Sequence, residues 1–117
     1  MDPRIGRALH IIEREYAKTN LQVGDLAKAV RLSPSRFHHL FQREVGIAPA
    51  LYLRSTRIRA AVDLLQGSFL SVKEISFSVG MSRQSSFHRA YKRLRGATPA
   101  KERIQLDTIG IAENDNK

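Results

Sequence analysis

The sequence predicts an all-α fold: two helix-turn-helix subdomains joined by a central linker helix, about seven helices in all. Three observations carry that prediction. Apolar residues recur at helical spacing along most of the chain. A helix, a short turn and a second helix are written twice, about fifty positions apart. Both copies close in the same way, with Gly46 then Pro49 and Gly96 then Pro99.

Length and composition set the frame. The 117 residues allow one domain, or at most two small lobes. With 42% hydrophobic residues there is enough for a core, which excludes wholesale disorder. The absence of Cys excludes a disulfide scaffold, a Cys-ligated zinc module and thiol catalysis, and fits a cytoplasmic setting. No apolar run approaches the ~18 residues of a membrane span, and Met1-Asp2-Pro3-Arg4 opens no signal peptide. Lys and Arg number 20 against 11 Asp and Glu, a formal charge of +9, so the expected partner is a polyanion.

The first element is an amphipathic helix over 3–18. Ile5, Ala8, Leu9, Ile12 and Tyr16 share one face, Asp2 suits its cap and Pro3 its first turn. The repeat follows. Leu21 to Ser33 matches Leu70 to Ser82 at an offset of 49, with Leu21, Val23, Val30 and Ser33 recurring identically. Beyond the turn the offset becomes 50, and Phe37-His38 through Arg43 and Gly46 face Phe87-His88 through Arg93 and Gly96. Ser71 and Glu74 form a capping box, with Gln22 and Asp25 a weaker version. Val23, Leu26, Ala27 and Val30 face inward, as do Val72, Ile75, Ser76 and Val79. Gly80 suits a left-handed turn position, whereas its counterpart Arg31 would cost about 1 kcal/mol there. Ser33 caps the next helix and Pro34 opens it. Phe37, Leu40 and Phe41 point inward, as do Phe87, Ala90, Tyr91 and Leu94.

The linker helix occupies about 50–66, packed through Leu53, Ile58, Ala61, Val62 and Leu65 and decorated by Arg54, Arg57 and Arg59. A short closing helix runs from Ala100 to about Ile104. The expected organisation is 1–49 (N-terminal helix and first helix-turn-helix), 50–66 (linker), 67–105 (second helix-turn-helix and closing helix) and a flexible polar tail over 106–117.

The chemistry lies on the outward faces of the second helix in each pair. Ser35, Arg36, His38, His39, Gln42 and Arg43 remain on one once its apolar stripe turns inward. Gln84, Ser85, His88, Arg89, Lys92 and Arg93 remain on the other, and no carboxylate appears before Glu44. Such groups suit base edges and phosphates. Positions near a recognition helix's N-terminus reach deepest into a major groove, so Ser35, Arg36, His39, Gln84, Ser85 and Arg89 are the expected base readers. Ser33, Gln42, Arg43, Ser82, His88, Lys92 and Arg93 are the expected backbone contacts. A linker helix of about 24 Å, plus the half-width of each lobe, sets the two readers about one DNA turn, ~34 Å, apart. The two faces differ in sequence, so the site is expected to be asymmetric. Base stacking by Phe37, Phe41, Phe87 and Tyr91 is set aside, since they sit at core spacing. Adjacent His38 and His39 diverge by about 100° on a helix, so no metal is expected. No acid–base or nucleophile constellation, Gly-rich phosphate loop or Ser elbow points to an enzyme. The competing readings are a basic module that binds RNA or DNA without sequence preference, and a positively charged protein-interaction module.

The stretch Ile75-Ser76-Phe77-Ser78-Val79-Gly80-Met81-Ser82, continuing to Gly96-Ala97-Thr98-Pro99, resembles the second helix-turn-helix signature of the AraC/XylS family of bacterial transcription regulators. Tyr52 to Ala61 is similar to that family's linker helix, and the resemblance spans about Ile5 to Arg103. Ser76, Met81 and Tyr91 replace its usual Ala, Phe and Phe, and Arg31 replaces its turn Gly. The hydroxyls of Ser76 and Tyr91 each need a partner. The resemblance implies sequence-specific binding of double-stranded DNA by a transcription regulator that activates, with RNA polymerase as a protein partner. A monomer in the nucleoid, no cofactor, and no small-molecule ligand within the chain complete the expectation. The chain is expected to be either a stand-alone member or the excised DNA-binding domain of a larger effector-responsive regulator.

Overall fold

A computed structural model describes residues 1–115, with side chains through Asp107. Seven helices and no strand make up the described residues: α1 Pro3–Glu15, α2 Val23–Ala29, α3 Pro34–Val45, α4 Pro49–Gly67, α5 Val72–Ser78, α6 Gln84–Arg95 and α7 Pro99–Asp115. Together they form an elongated body of 52 × 29 × 22 Å.

Two separate cores explain that shape. Ile5, Ala8 and Ile12 of α1 meet Leu26, Ala27, Val30, Phe37, Phe41 and Leu53 in the first. Ile58, Ala61 and Leu65 meet Ile75, Val79, Phe87, Ala90 and Tyr91 in the second. Helix α4 therefore belongs to both lobes. Leu53 and Ile58 lie five positions apart, about 140° around a helix of 3.6 residues per turn, so one rod presents opposite sides to two cores.

The predicted ends are built by local chemistry. The Asp2 carboxylate accepts from the Arg4 backbone N–H at 2.8 Å, and Ser33 Oγ accepts from that of Arg36 at 3.2 Å. The Ser71–Glu74 capping box is closed both ways, at 2.9 and 3.1 Å. Asp25 accepts from the Gln22 backbone N–H at 2.9 Å. Gly46 and Gly96, at φ 94° and 80°, end α3 and α6 in the left-handed conformation. Arg31 does occupy that conformation, at φ 60°, where the second turn has Gly80 at φ 88°. The Ser76 hydroxyl donates to the Met81 carbonyl across the second turn. The Tyr91 hydroxyl has no hydrogen-bond partner among the described residues.

Three details differ from expectation. Helix α1 ends at Glu15 rather than 18, because the Arg57 guanidinium takes the carbonyls beyond it: Nε donates to Tyr16 O at 2.8 Å and an Nη to Lys18 O at 3.0 Å. Leu94 is exposed rather than inward, since α6 contacts the core only through Phe87, Ala90 and Tyr91. The change of offset from 49 to 50 falls in the turn, as expected. Helix α6 starts one residue later than α3, so Arg83 rather than Ser82 is its N-cap residue. Last, the closing helix does not stop near Ile104 but continues through most of the expected tail to Asp115, with Leu106 packed on the second core. Residues 116 and 117 of that tail lie outside the described residues.

Candidate nucleic-acid interface

Helices α3 and α6 each bury one stripe and leave the rest in water. Phe37 and Phe41 on α3 are fully buried, and so are Phe87 and Tyr91 on α6. Residues one or two positions from such a stripe turn away from it on a 3.6-residue period, whereas those three or four away return to it. Ser33, Ser35, Arg36, His39, Gln42 and Arg43 are accordingly exposed in the first unit. Ser82, Gln84, Ser85, His88, Arg89, Lys92 and Arg93 are exposed in the second. Ser35 and His39 hold the same register on α3 as Ser85 and Arg89 on α6. All six expected base readers therefore stand on solvent-facing ridges, three on each helix.

The hydrogen bonding of these groups limits what they can do. Ser33 Oγ is engaged as an acceptor by the Arg36 N–H, which leaves its own proton to donate. No side chain caps the N-terminus of α6, so its first backbone N–H groups face outward without a side-chain acceptor. His88 Nδ1 lies 2.8 Å from the Gln84 carbonyl, one turn back on the same helix. A carbonyl only accepts, so Nδ1 carries the proton, and Nε2 can donate to a phosphate only when the ring is an imidazolium.

The field over both ridges is positive. Arg36, Arg43, Arg89, Lys92 and Arg93 take part in no ion pair among the described residues; the pairs present are Arg4–Asp2, Lys18–Glu15 and Arg95–Glu102. Glu44, the nearest acid on α3, is half-buried and accepts from the Asp2 backbone N–H at 3.2 Å. A row of unneutralised cations with no competing carboxylate is what a phosphate backbone requires.

Two arginines of α4 have roles that helical periodicity did not distinguish. Arg54 shares a cleft of about 230 Å³ with Met81, Ser86, Arg89, Ala90 and Arg93, adding a third guanidinium beside the second recognition helix. Arg57 is not surface decoration but a half-buried clamp on the α1–α2 connection. Only the absence of an acidic partner at i±3 or i±4 of Arg57 hinted at this in sequence. Among the described residues no cluster of His, Cys, Asp and Glu could hold a metal ion, and no helix is long and apolar enough to cross a membrane.

Known proteins share this architecture. A family model described as a helix-turn-helix domain matches residues 26–105. The arabinose operon regulatory protein of Escherichia coli K12 is 33% identical over 88% of this chain and 35% of its own length. The chain thus spans about a third of the length of such curated relatives. Among solved structures, the C-terminal domain of AraT, a response regulator from Geobacillus stearothermophilus, superposes with a TM-score of 0.86 at 27% identity, covering 90% of this chain and 87% of that one. The DNA-binding domain of AdpA, solved with a target DNA, superposes at 0.83 and 24% identity over 89% of this chain and 93% of its own, a likeness of fold.

Proposed function

This chain belongs to the AraC-type helix-turn-helix family, and from that footing we propose that it binds double-stranded DNA sequence-specifically as a transcription regulator. The observation that carries the reading is the pair of acid-free cationic ridges, α3 and α6, exposed at equivalent positions of two like units. Ser35, Arg36 and His39 read one major-groove segment, and Gln84, Ser85 and Arg89 read the next. Ser33, Gln42, Arg43, Ser82, His88, Lys92 and Arg93 hold the phosphates, with Arg54 joining them from α4. The 19 residues of α4 give a rod of about 28 Å, which supports a separation near one DNA turn. Unlike ridges make the site asymmetric, so a single copy suffices and the protein acts as a monomer.

The relatives are regulators, which supports a role in transcription rather than catalysis. Activation through RNA polymerase and a cytoplasmic, nucleoid-associated setting, with no cofactor, come with the family reading as analogy. Selection from a pool of random duplexes tests the proposal. A bipartite, non-palindromic motif is expected. A pool that enriches nothing, while binding persists at low salt, would replace it with the sequence-blind basic module.

A further inference from the structure

Arg57 lies in the middle of the linker helix, yet its side chain reaches back to the first lobe. Nε donates to Tyr16 O at 2.8 Å, and an Nη donates to Lys18 O at 3.0 Å and Leu21 O at 3.4 Å. One guanidinium therefore gathers three carbonyls of the loop between α1 and α2, of which Lys18 O also accepts from the Leu21 backbone N–H at 3.2 Å. The same loop touches the other lobe. A Cβ placed on Gly80 would lie 2.6 Å from Tyr16 O and 3.1 Å from the Ala17 carbonyl carbon. Gly80 forms the turn of the second helix-turn-helix, immediately before the residues that lead into α6. The Tyr16 carbonyl is thus held by the linker helix on one side and abutted by the second turn on another. This seam lies off the α4 axis, where it can resist rocking of one lobe against the other.

Resting on the DNA-reading proposal above, we propose that Arg57 is a positioning residue that fixes the spacing between the two half-sites by locking the α1–α2 loop against the Gly80 turn. One base pair of added spacing moves the second half-site by about 3.4 Å and about 35° around the duplex. A locked protein cannot follow that displacement, whereas one free to rock can. The second lobe supplies its own control. Arg103 of α7 makes a like clamp, donating to Ser68 O at 3.3 Å and Leu70 O at 2.6 Å, on the loop between α4 and α5. That loop joins two elements of the second core, and the three atoms nearest a Cβ at Gly80 belong to Tyr16 and Ala17, not to it.

The experiment takes the motif selected from random duplexes and measures affinity as its centre is lengthened or shortened by one and two base pairs. It compares the full chain with R57M, R57K and R103M, each checked by circular dichroism and by binding to a single half-site. The unaltered chain is expected to lose about 10- to 100-fold per base pair, the equivalent of one lost base contact. R57M should flatten this to a few-fold while single half-site binding is kept, and R57K, with fewer donors, should fall between. R103M should lower stability and leave the spacing profile steep. A steep profile in both Arg57 variants overturns the inference, as does a flat profile in R103M or in the unaltered chain. R57K decides the matter if R57M does not fold. A chain that selects no motif fails at the earlier step, which separates that failure from this one.

Discussion

Replacing Gly80 by alanine should be far more damaging than the same change at Gly46 or Gly96. All three glycines have positive φ, 88°, 94° and 80° respectively. Holding an L-residue there costs about 1–2 kcal/mol, of which alanine recovers about 0.4–1 kcal/mol by stiffening the unfolded chain. At Gly46 and Gly96 an added Cβ meets nothing within 4 Å, so the net loss should be ~1 kcal/mol each. At Gly80 the methyl would sit 2.6 Å from Tyr16 O, well inside contact distance, and the obstacle is backbone. Arg57 holds that carbonyl at 2.8 Å, so the loop cannot yield without breaking a charge-assisted hydrogen bond. Overpacking of this kind adds about 1–3 kcal/mol, for a total of roughly 2–4 kcal/mol against a stability expected near the lower part of 5–15 kcal/mol. Urea unfolding monitored by circular dichroism reads the difference. With a slope of about 1–3 kcal/mol per molar, the Gly80→Ala midpoint should fall by ~1 M or more, and those of the other two by a fraction of that. Equal losses at Gly80 and Gly96 would refute the close approach of the second turn to the α1–α2 loop.

Other expectations follow from single contacts. Arg89→Ala should cost about 1–3 kcal/mol in binding to the selected site and relax specificity in one half-site. Arg93→Ala should weaken all sequences alike and reduce the salt slope by about 1; filter binding across a salt series separates the two, and matching profiles would dissolve the distinction between reader and backbone contact. Tyr91→Phe removes a fully buried hydroxyl that has no hydrogen-bond partner among the described residues, and should stabilise the fold by about 1 kcal/mol in urea titrations. Burial, followed by the Glu102 charge, pushes the Tyr91 phenol from 10.0 up to about 12 in the folded protein. The native state therefore holds this proton more tightly. Stability is therefore insensitive to this group below pH 10 and declines as pH rises from 10 through 12, a decline that Tyr91→Phe should lessen and whose persistence in the variant would assign it elsewhere.

The elements that could be read from sequence are those specified by local rules. Ser33-Pro34, Ser71 with Glu74, and Gly46 and Gly96 each satisfy helix ends within a few residues, so their placement required no knowledge of the fold. The exposed polar ridges of α3 and α6 are legible for a similar reason: Phe37 with Phe41 and Phe87 with Tyr91 fix the inward direction, and their polar neighbours then fall outward. Long-range partnerships were not visible. Arg57 and Arg103 look like any exposed helical arginine until the loops they serve, 36–41 and 33–35 positions away, are folded against them. The end of α7 was missed because Asp107 and Gly110 disfavour a helix interior by less than ~1 kcal/mol each, too little to stop a helix that Leu106 anchors to the second core.

The two clamps bear on how the duplicated unit became one reader. Arg57 follows Pro49 by eight positions, whereas Arg103 follows Pro99 by four, so they are not equivalent residues of the repeat. Each nevertheless captures the loop that leads into its own helix-turn-helix, which means each lobe had to solve the same problem of unsatisfied loop carbonyls. The first lobe's solution draws on the shared helix α4, while the second draws on α7. Both clamps touch α4, since Arg103 also donates to Leu65 O at 3.4 Å, but only the first ties α4 to a loop that abuts the turn of the other lobe. A flexible join would give the second lobe an effective concentration on DNA whatever the spacing. Under the proposed function, a rigid one makes distance itself part of what is recognised, adding discrimination that the proposed base readers on α3 and α6 do not have to supply.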